Sequence, residues 1–308
     1  SAHSGHQIFG RYPMRTIKMS IVGLGGRGTW WLKQLLQMED VEITAVCDKH
    51  EDRMERGRKM CAEKYGHDVY GSLDWHDITG RDDGAEAVFI TTYWNDHAKI
   101  AVAAMKAGKY AGFEVGPAQS MQQCWDLVRT YEETGVPCMM LENCCYGRRE
   151  MMVLNMVKQG LFGKIVHCSG GYQHDLRDEV AKGNENRHYR LRNYLSRNCE
   201  NYPTHELGPI AKLLNITSGN RFTKLVSMSS KSKGLNEWIK NNKGTDYDLY
   251  GYDWKCGDIT TTIIKCANGE TITINHDCCL PRPYTRNYLV QGTKGIFSDI
   301  DAVFAVGL

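Results

Sequence analysis

The feature that most constrains this chain is Gly23-Leu24-Gly25-Gly26-Arg27-Gly28, a glycine run that closes one apolar segment and opens another with helical spacing. Glycine at such a turn lets the backbone bend sharply and lets amide groups approach a ligand at a helix N-terminus. Asp48 stands twenty residues beyond Gly28, at the end of the next apolar run. A carboxylate there accepts hydrogen bonds from a ribose and repels a 2′-phosphate. Strand, glycine turn, helix and acidic residue in this order predict a dinucleotide site made by Gly23, Gly25, Gly26, Arg27, Gly28 and Asp48. Lys49 and Arg53 leave room for NADP, but Asp48 favours NAD.

Such a turn belongs on a parallel sheet, and the first half of the chain is written as one, because each parallel crossover needs a helix. Strands are predicted over 16–23, 41–47, 87–91, 110–114 and 136–142, with helices over 29–37, 51–65, 96–107 and from Ser120 to just before Gly135. Asp96 reads as a helix cap, Gly108 as a left-handed stop, and Ser120 with Gln123 as a capping box. The expectation is a Rossmann-type doubly wound parallel sheet over 16–143, preceded by a flexible segment, 1–15. Beyond it the period changes. A helix over 148–159, a strand over 165–170, a long polar loop and a short helix over 207–214 lead to strands over 224–229, 259–266, 270–276 and 288–292. Asn268-Gly269 supplies a hairpin turn between the middle two of these last four strands. Residues 144–308 therefore read as an α+β domain with an open, mostly antiparallel sheet.

A formal charge of +2 gives no global field for nucleic acid or an anionic membrane, so a small-molecule or glycan substrate fits better. No run approaches the roughly eighteen apolar residues that cross a bilayer, so the reading is a soluble protein, in the cytoplasm rather than exported. Twelve scattered cysteines without Cys-x-x-Cys spacing read as free thiols of a reducing compartment. No metal is expected, and His205-Glu206 has no second histidine four residues away. Self-association stays open.

Three segments resemble the superfamily of glucose-fructose oxidoreductase and inositol dehydrogenase. They are the glycine turn, Thr91-Thr92-Tyr93-Trp94-Asn95-Asp96-His97, and Phe113-Glu114-Val115-Gly116-Pro117. The superfamily normally has Glu-Lys-Pro in the last, its lysine assisting hydride transfer; here Val115 takes the lysine's place. Valine cannot exchange a proton, so simple dehydrogenation would need another acid or base. That departure resembles glycoside hydrolase family 109, the NAD-dependent α-N-acetylgalactosaminidases. Leu141-Glu142-Asn143-Cys144-Cys145-Tyr146, Gly170-Gly171-Tyr172-Gln173-His174-Asp175-Leu176-Arg177, Asn201-Tyr202-Pro203-Thr204-His205 and Pro281-Arg282-Pro283-Tyr284-Thr285-Arg286 are similar to that family's motifs.

The resemblance implies that Gly26, Arg27, Asp48, Trp94, His97, Glu114, Val115 and Asn143 contact NAD, and that Tyr172, Arg190, Tyr202, His205 and Tyr284 line a sugar site. Glu142 ends a predicted parallel strand, where open α/β sheets place ligands, and His174 lies in a polar cluster with Asp175 and Arg177; both join the substrate-binding candidates. In the family the sugar is oxidised at its 3-position, the aglycone is eliminated, water adds and the hydride returns. Tyr172 is then the candidate base, His205 the partner of the 3-hydroxyl, and Tyr202 a residue that positions either. Family members continue well past the Gly292-Thr293-Lys294-Gly295 turn, and this sequence stops at Leu308, which is expected to leave the site less closed.

Three other readings compete. An oxidoreductase would consume NAD while oxidising a sugar or polyol, and a sensor would bind without turnover. An ordinary glycosidase would set two carboxylates, chosen from Glu142, Asp175 and Glu206, across the bond, but it leaves the dinucleotide turn without a role.

Overall fold

The computed structural model describes residues 15–299 and the backbone of 303–306; all but Arg15 of the expected flexible segment lies outside the described residues. The chain divides into two compact units between Leu141 and Glu142, two residues before the expected boundary.

In the first unit the short apolar runs become β1 (Ile17–Val22), β2 (Val41–Cys47), β3 (Tyr70–Ser72), β4 (Ala87–Ile90), β5 (Tyr110–Phe113) and β6 (Cys138–Met140). They form one sheet in the order β3-β2-β1-β4-β5-β6, every pairing parallel. The connecting helices are α1 (Gly26–Leu35), α2 (Glu51–Tyr65), α3 (Trp75–Thr79), α4 (Trp94–Lys106) and α5 (Met121–Thr134). Neighbouring side chains of a strand point to opposite faces, so Ile21 joins Leu32 and Val46 in one apolar cluster while Val22 joins Ile90 and Ile100 in another. The sheet is thus buried on both sides. Strand order reverses between β1 and β4, which places the ends of those strands at the fold's ligand crevice.

Local signals explain most helix ends. The Ser120 hydroxyl accepts from the Gln123 amide at 3.2 Å, and Gln123 Oε1 accepts from the Gln119 amide at 2.7 Å. Asp96 is a correction: α4 begins at Trp94 with Tyr93 at its cap, so Asp96 lies in the first turn, where a negative charge favours the helix dipole. The first helix also starts earlier than expected, at Gly26, inside the glycine run.

The second unit begins with a 3-10 turn (Asn143–Tyr146) and α6 (Arg148–Lys158), followed by β7 (Ile165–Gln173), α7 (Arg177–Ala181), α8 (Arg190–Ser196) and α9 (Thr204–Leu213). After these come β8 (Phe222–Ser229), α10 (Gly234–Asn242), β9 (Ile259–Cys266), β10 (Thr271–Asp277), β11 (Leu289–Gly292), β12 (Gly295–Ser298) and β13 (Val303–Val306). The sheet order is β13-β12-β11-β7-β10-β9-β8, antiparallel except where β7 meets β10. Ile210 and Leu213 of α9 and Val153 of α6 pack on Cys168, Ile272, Ile274 and Val290 of that sheet.

The expected long polar loop is the main correction to this half. It holds α7 and α8, whose buried residues Val180, Ala181, Leu191 and Tyr194 are too few in such short helices to set up a readable period. Close packing of α9 on β7 fixes one residue type: a Cβ on Gly170 would sit 2.6 Å from the Cβ of Glu206. All twelve cysteines are free. Among the described residues no helix is long and apolar enough to cross a membrane.

Candidate active site

The glycine run forms a rigid turn with an open face. Gly23 adopts φ +98°, and a Cβ on Gly28 would come 1.9 Å from the Gly23 carbonyl oxygen. By contrast nothing lies within 4 Å of a Cβ placed on Gly26. No side chain caps α1 and no acidic residue occupies its first turn, which leaves the first amides available to an anion. Buried Asp48 braces the turn, its Oδ2 accepting from the Leu24 amide at 2.7 Å and its Oδ1 from the His50 amide at 2.9 Å. A carboxylate has about four acceptor positions, so capacity remains for ribose hydroxyls. The uncapped helix end and the cradle at Gly26 fit a dinucleotide pyrophosphate.

Other expected cofactor residues are engaged with the protein. Oε1 of buried Glu114 accepts from Arg27 Nε at 2.7 Å and from Trp31 Nε1 at 2.5 Å, while the Arg27 guanidinium lies 4.7 Å from the Trp30 ring centre. His97 is fully buried, with Nδ1 and Nε2 each 3.0 Å from a carbonyl oxygen, of Gly116 and Thr92 respectively; burial pushes its pKa down. Trp94 packs on Gly116, and Val115 is buried. Glu114 and His97 thus shape the loops after β4 and β5.

In the second unit the candidate sugar residues converge. Tyr172 is the penultimate residue of β7, and its ring lies 4.4 Å from that of Tyr202, 5.6 Å from His205 and 6.2 Å from Tyr284. Its hydroxyl is 3.2 Å from His174 Nδ1, and the His174 and Tyr284 rings are 5.0 Å apart. Buried Arg190 lies 4.8 Å from the Tyr202 ring centre and 5.5 Å from that of Tyr172, its Nε donating to Glu179 Oε1 at 2.6 Å. His205, at the start of α9, holds its Nδ1 2.8 Å from Glu142 Oε1 and its Nε2 3.5 Å from the Tyr202 hydroxyl. Asn143 lies in the 3-10 turn next to Glu142.

The carboxyls here are driven in opposite directions. Burial alone would raise Glu142, but the hydrogen bond and charge of His205 and the Cys144 amide hold it below its ordinary value. Glu142 is therefore an ionised acceptor, and His205 Nδ1 carries the proton that bonds to it. Glu206, beside His205, is pushed well above its ordinary value by burial and by the charge of Glu200, and neither of its carboxyl oxygens has a hydrogen-bond partner. Burial likewise raises Glu200 to about 8; part of its stem is exposed, but its Oε2 is sealed from solvent. Burial raises Tyr172 as well, against the lowering charge of Arg190.

These environments bear on the two-carboxylate alternative. Glu206 is 1 % exposed, so it cannot face a sugar across a glycosidic bond, and Asp175 is held by Arg177 at 2.7 and 2.9 Å. Glu142, Cys144 and His205 bring three potential ligand atoms within 4.8 Å of one another. The Glu142–His205 hydrogen bond joins two of them, and burial lifts the Cys144 thiol to about 12. Sequence reasoning missed Glu179, Glu200 and the neutral state of Glu206. None of these carries a motif signal, because each depends on a partner brought up by the fold.

A Rossmann unit with an open pyrophosphate cradle, and a second unit with a carboxylate–imidazole–phenol chain, define a dinucleotide-binding protein that carries an acid–base cluster. Residues 146–307 match the glycosyl hydrolase 109 C-terminal domain, and residues 17–142 match the oxidoreductase family with an NAD-binding Rossmann fold. The chain belongs to glycosyl hydrolase family 109 and is an NAD-dependent glycosidase. It is 39% identical over 291 residues to the alpha-N-acetylgalactosaminidase of Bacteroides fragilis, with 92% of this chain and 68% of that protein covered. To a family 109 protein of Stenotrophomonas maltophilia it is 38% identical over 312 residues, covering 93% and 68%. Among solved structures it is similar to the scyllo-inositol dehydrogenase of Lactobacillus casei with bound NAD(H) and scyllo-inositol, at TM-score 0.70 and 15% identity, covering 92% and 76%. The myo-inositol 2-dehydrogenase of Lactobacillus plantarum gives TM-score 0.70 at 14% identity, again covering 92% and 76%.

Proposed function

We propose that this glycosidase releases α-linked N-acetylgalactosamine through a transient ketone at the sugar's 3-position, with elimination of the aglycone, addition of water and return of the ketone to the alcohol. NAD, when bound, supplies the reversible hydride acceptor such a cycle needs, and Asp48, Arg27 and the open glycine face are the residues of the first unit that would hold it. The observation that carries the reading is the hydrogen-bonded chain from Glu142 through His205 to Tyr202, beside the Tyr172–His174 pair.

His205 Nε2, free of a proton because Nδ1 donates to Glu142, takes the proton of the 3-hydroxyl, and the carboxylate 2.8 Å away stabilises the imidazolium that results. Tyr202, 3.5 Å from Nε2, orients that hydroxyl. Tyr172 removes the hydrogen on C2, which the neighbouring ketone acidifies. Its own phenol proton passes to His174 Nδ1, 3.2 Å away, a histidine kept neutral by burial and by the charge of Arg190. Arg190 stabilises the developing phenolate. His174 then gives its proton to the departing aglycone oxygen; when water adds at C1, its released proton returns to the Tyr172–His174 pair, which exchanges with solvent and delivers a proton to C2, so neither the net reaction nor the cofactor changes oxidation state. Arg190 and Tyr284 contact the sugar.

The test is hydrolysis of p-nitrophenyl α-N-acetylgalactosaminide in D2O. The expected result is p-nitrophenol release without accumulation of NADH and with deuterium at C2 of the product. Tyr172→Phe and His205→Ala are each expected to lower kcat by about 10²–10⁴-fold, the usual worth of a general acid or base. Hydrolysis with protium kept at C2, or wild-type turnover in both variants, refutes the mechanism. Steady NADH formation instead supports the oxidoreductase reading.

A further inference from the structure

Apart from the tyrosine–histidine cluster, the second unit holds an open cavity of about 510 Å³, within the roughly 300–1,000 Å³ typical of ligand pockets. Leu280, Pro281 and Tyr250 give it an apolar lining, and Lys233, Lys240 and Arg177 surround it with cations. Arg177 is already spent on Asp175. The ammonium groups of Lys233 and Lys240 form no hydrogen bond or ion pair among the described residues, whereas those of Lys182, Lys243 and Lys255 are paired with Asp178, Glu185 and Asp253. Glu237 is the one carboxylate in the lining, and Asp258 and Asp253, outside it, also act on the charge of Lys233.

The first amides of α10 do not attract an anion here, because Asp258 takes them: Lys233 N at 2.7 Å, and Gly234 N at 3.0 and 3.1 Å. Recognition falls to the two lysine side chains. A pocket with an aromatic and aliphatic wall and two ammonium groups that make no hydrogen bond suits a sugar ring, whose C–H face packs on Tyr250 and Pro281 while a carboxylate or sulfate meets the lysines. Two short segments tie the cavity to the cluster. Arg177 comes three residues after His174, Pro281 three before Tyr284, and the His174 and Tyr284 rings are 5.0 Å apart. Three residues span at most about 10 Å of chain. One oligosaccharide is long enough to reach both places.

We propose that this cavity is a subsite for an acidic sugar of the same glycan whose terminal residue enters the tyrosine–histidine cluster, so that the enzyme prefers anionic glycans. The proposal rests on the glycosidase reading for the identity of the terminal sugar, but its binding readout does not need turnover. The test measures binding by calorimetry of a neutral trisaccharide ending in α-linked N-acetylgalactosamine, a uronic-acid-bearing analogue and a sulfate-ester-bearing analogue. The intact enzyme is expected to bind at least one acidic analogue about tenfold more tightly than the neutral parent, with the advantage falling as salt rises. The arm that binds more tightly identifies the acid.

Lys233→Glu/Lys240→Glu, and the milder Lys233→Gln/Lys240→Gln, are expected to remove that preference and raise KM for the acidic substrate. Hydrolysis of p-nitrophenyl α-N-acetylgalactosaminide should stay at its wild-type rate, since neither lysine belongs to the proton-handling machinery. Equal affinity for all three trisaccharides, or an acid preference that survives both double variants, overturns the subsite. Acid preference without p-nitrophenyl hydrolysis would instead overturn the proposed function and leave the subsite standing.

Discussion

Replacing Glu206 or Glu200 with glutamine is expected to flatten the pH dependence of the second unit's stability between pH 6.5 and 8. Burial raises both carboxyls, Glu200 to about 8 and Glu206 well above its ordinary value with the charge of Glu200 adding to it. The folded state therefore keeps protons that the unfolded chain has released above pH about 4.5, and stability must fall as pH rises toward the folded pKa. Each retained proton contributes a slope of about 1.4 kcal/mol per pH unit, hence about 2 kcal/mol over this window. The window starts at pH 6.5 because His276, pushed down to about 3 chiefly by burial, makes stability rise with pH below that point and masks the carboxyls. Glu142 is lowered, so it acts only below about pH 4.5, with the opposite sign. Urea unfolding, read by the loss of amide protection in α9 at pH 6.5, 7, 7.5 and 8, measures the slope. A wild-type unfolding free energy that is flat or rising across the window, or a slope unchanged in both glutamine variants, refutes the assignment of neutral carboxyls.

Three further outcomes are expected. Glu142→Gln removes the carboxylate that holds His205 Nδ1 and should lower kcat by about 10²-fold or more with KM little changed, as steady-state kinetics would show. Gly28→Ala forces a Cβ to within 1.9 Å of the Gly23 carbonyl, so the turn must shift; NAD affinity measured by fluorescence titration should be lost, with unfolding easier by about 1–3 kcal/mol. Asp48→Ala deprives the Leu24 and His50 amides of their buried acceptor, and calorimetry should show NAD bound at least tenfold more weakly and its advantage over NADP reduced.

The sequence reveals whatever depends on neighbours along the chain. Ser120 and Gln123 sit three residues apart and make their cap; Gly269 follows Asn268 and takes φ +105° in the β9–β10 hairpin. The glycine turn is legible for the same reason, since strand, turn and helix are contiguous. The helices α7 and α8 were hidden because five and seven residues give too few turns for a period. The site shows a different limit. Tyr172, Tyr202 and His205 could be singled out by their motifs, but the Glu142–His205 bond joins residues 63 apart, and Arg190 depends on Glu179 eleven residues away through a bend between two helices. Protonation is furthest from the sequence: Glu142 and Glu206 are the same residue type, separated only by what surrounds them.

That contrast bears on how the proton chemistry is divided. In the proposed mechanism buried Val115 offers neither acid nor base, so proton transfer is assigned to residues of the second unit. There His205 needs one negative partner to stabilise its imidazolium, and Glu142 provides it at 2.8 Å. Glu206, kept neutral by burial and by the charge of Glu200, adds no second negative charge there. Of the two carboxyls, Glu142 is then the one that carries charge. At neutral pH, Glu206→Gln, a neutral residue of similar shape, should thus keep kcat within a few-fold of wild type, whereas Glu142→Gln should not. Equal losses in the two variants would mean that Glu206 is ionised in the working enzyme and that the balance between the two carboxyls has been drawn wrongly.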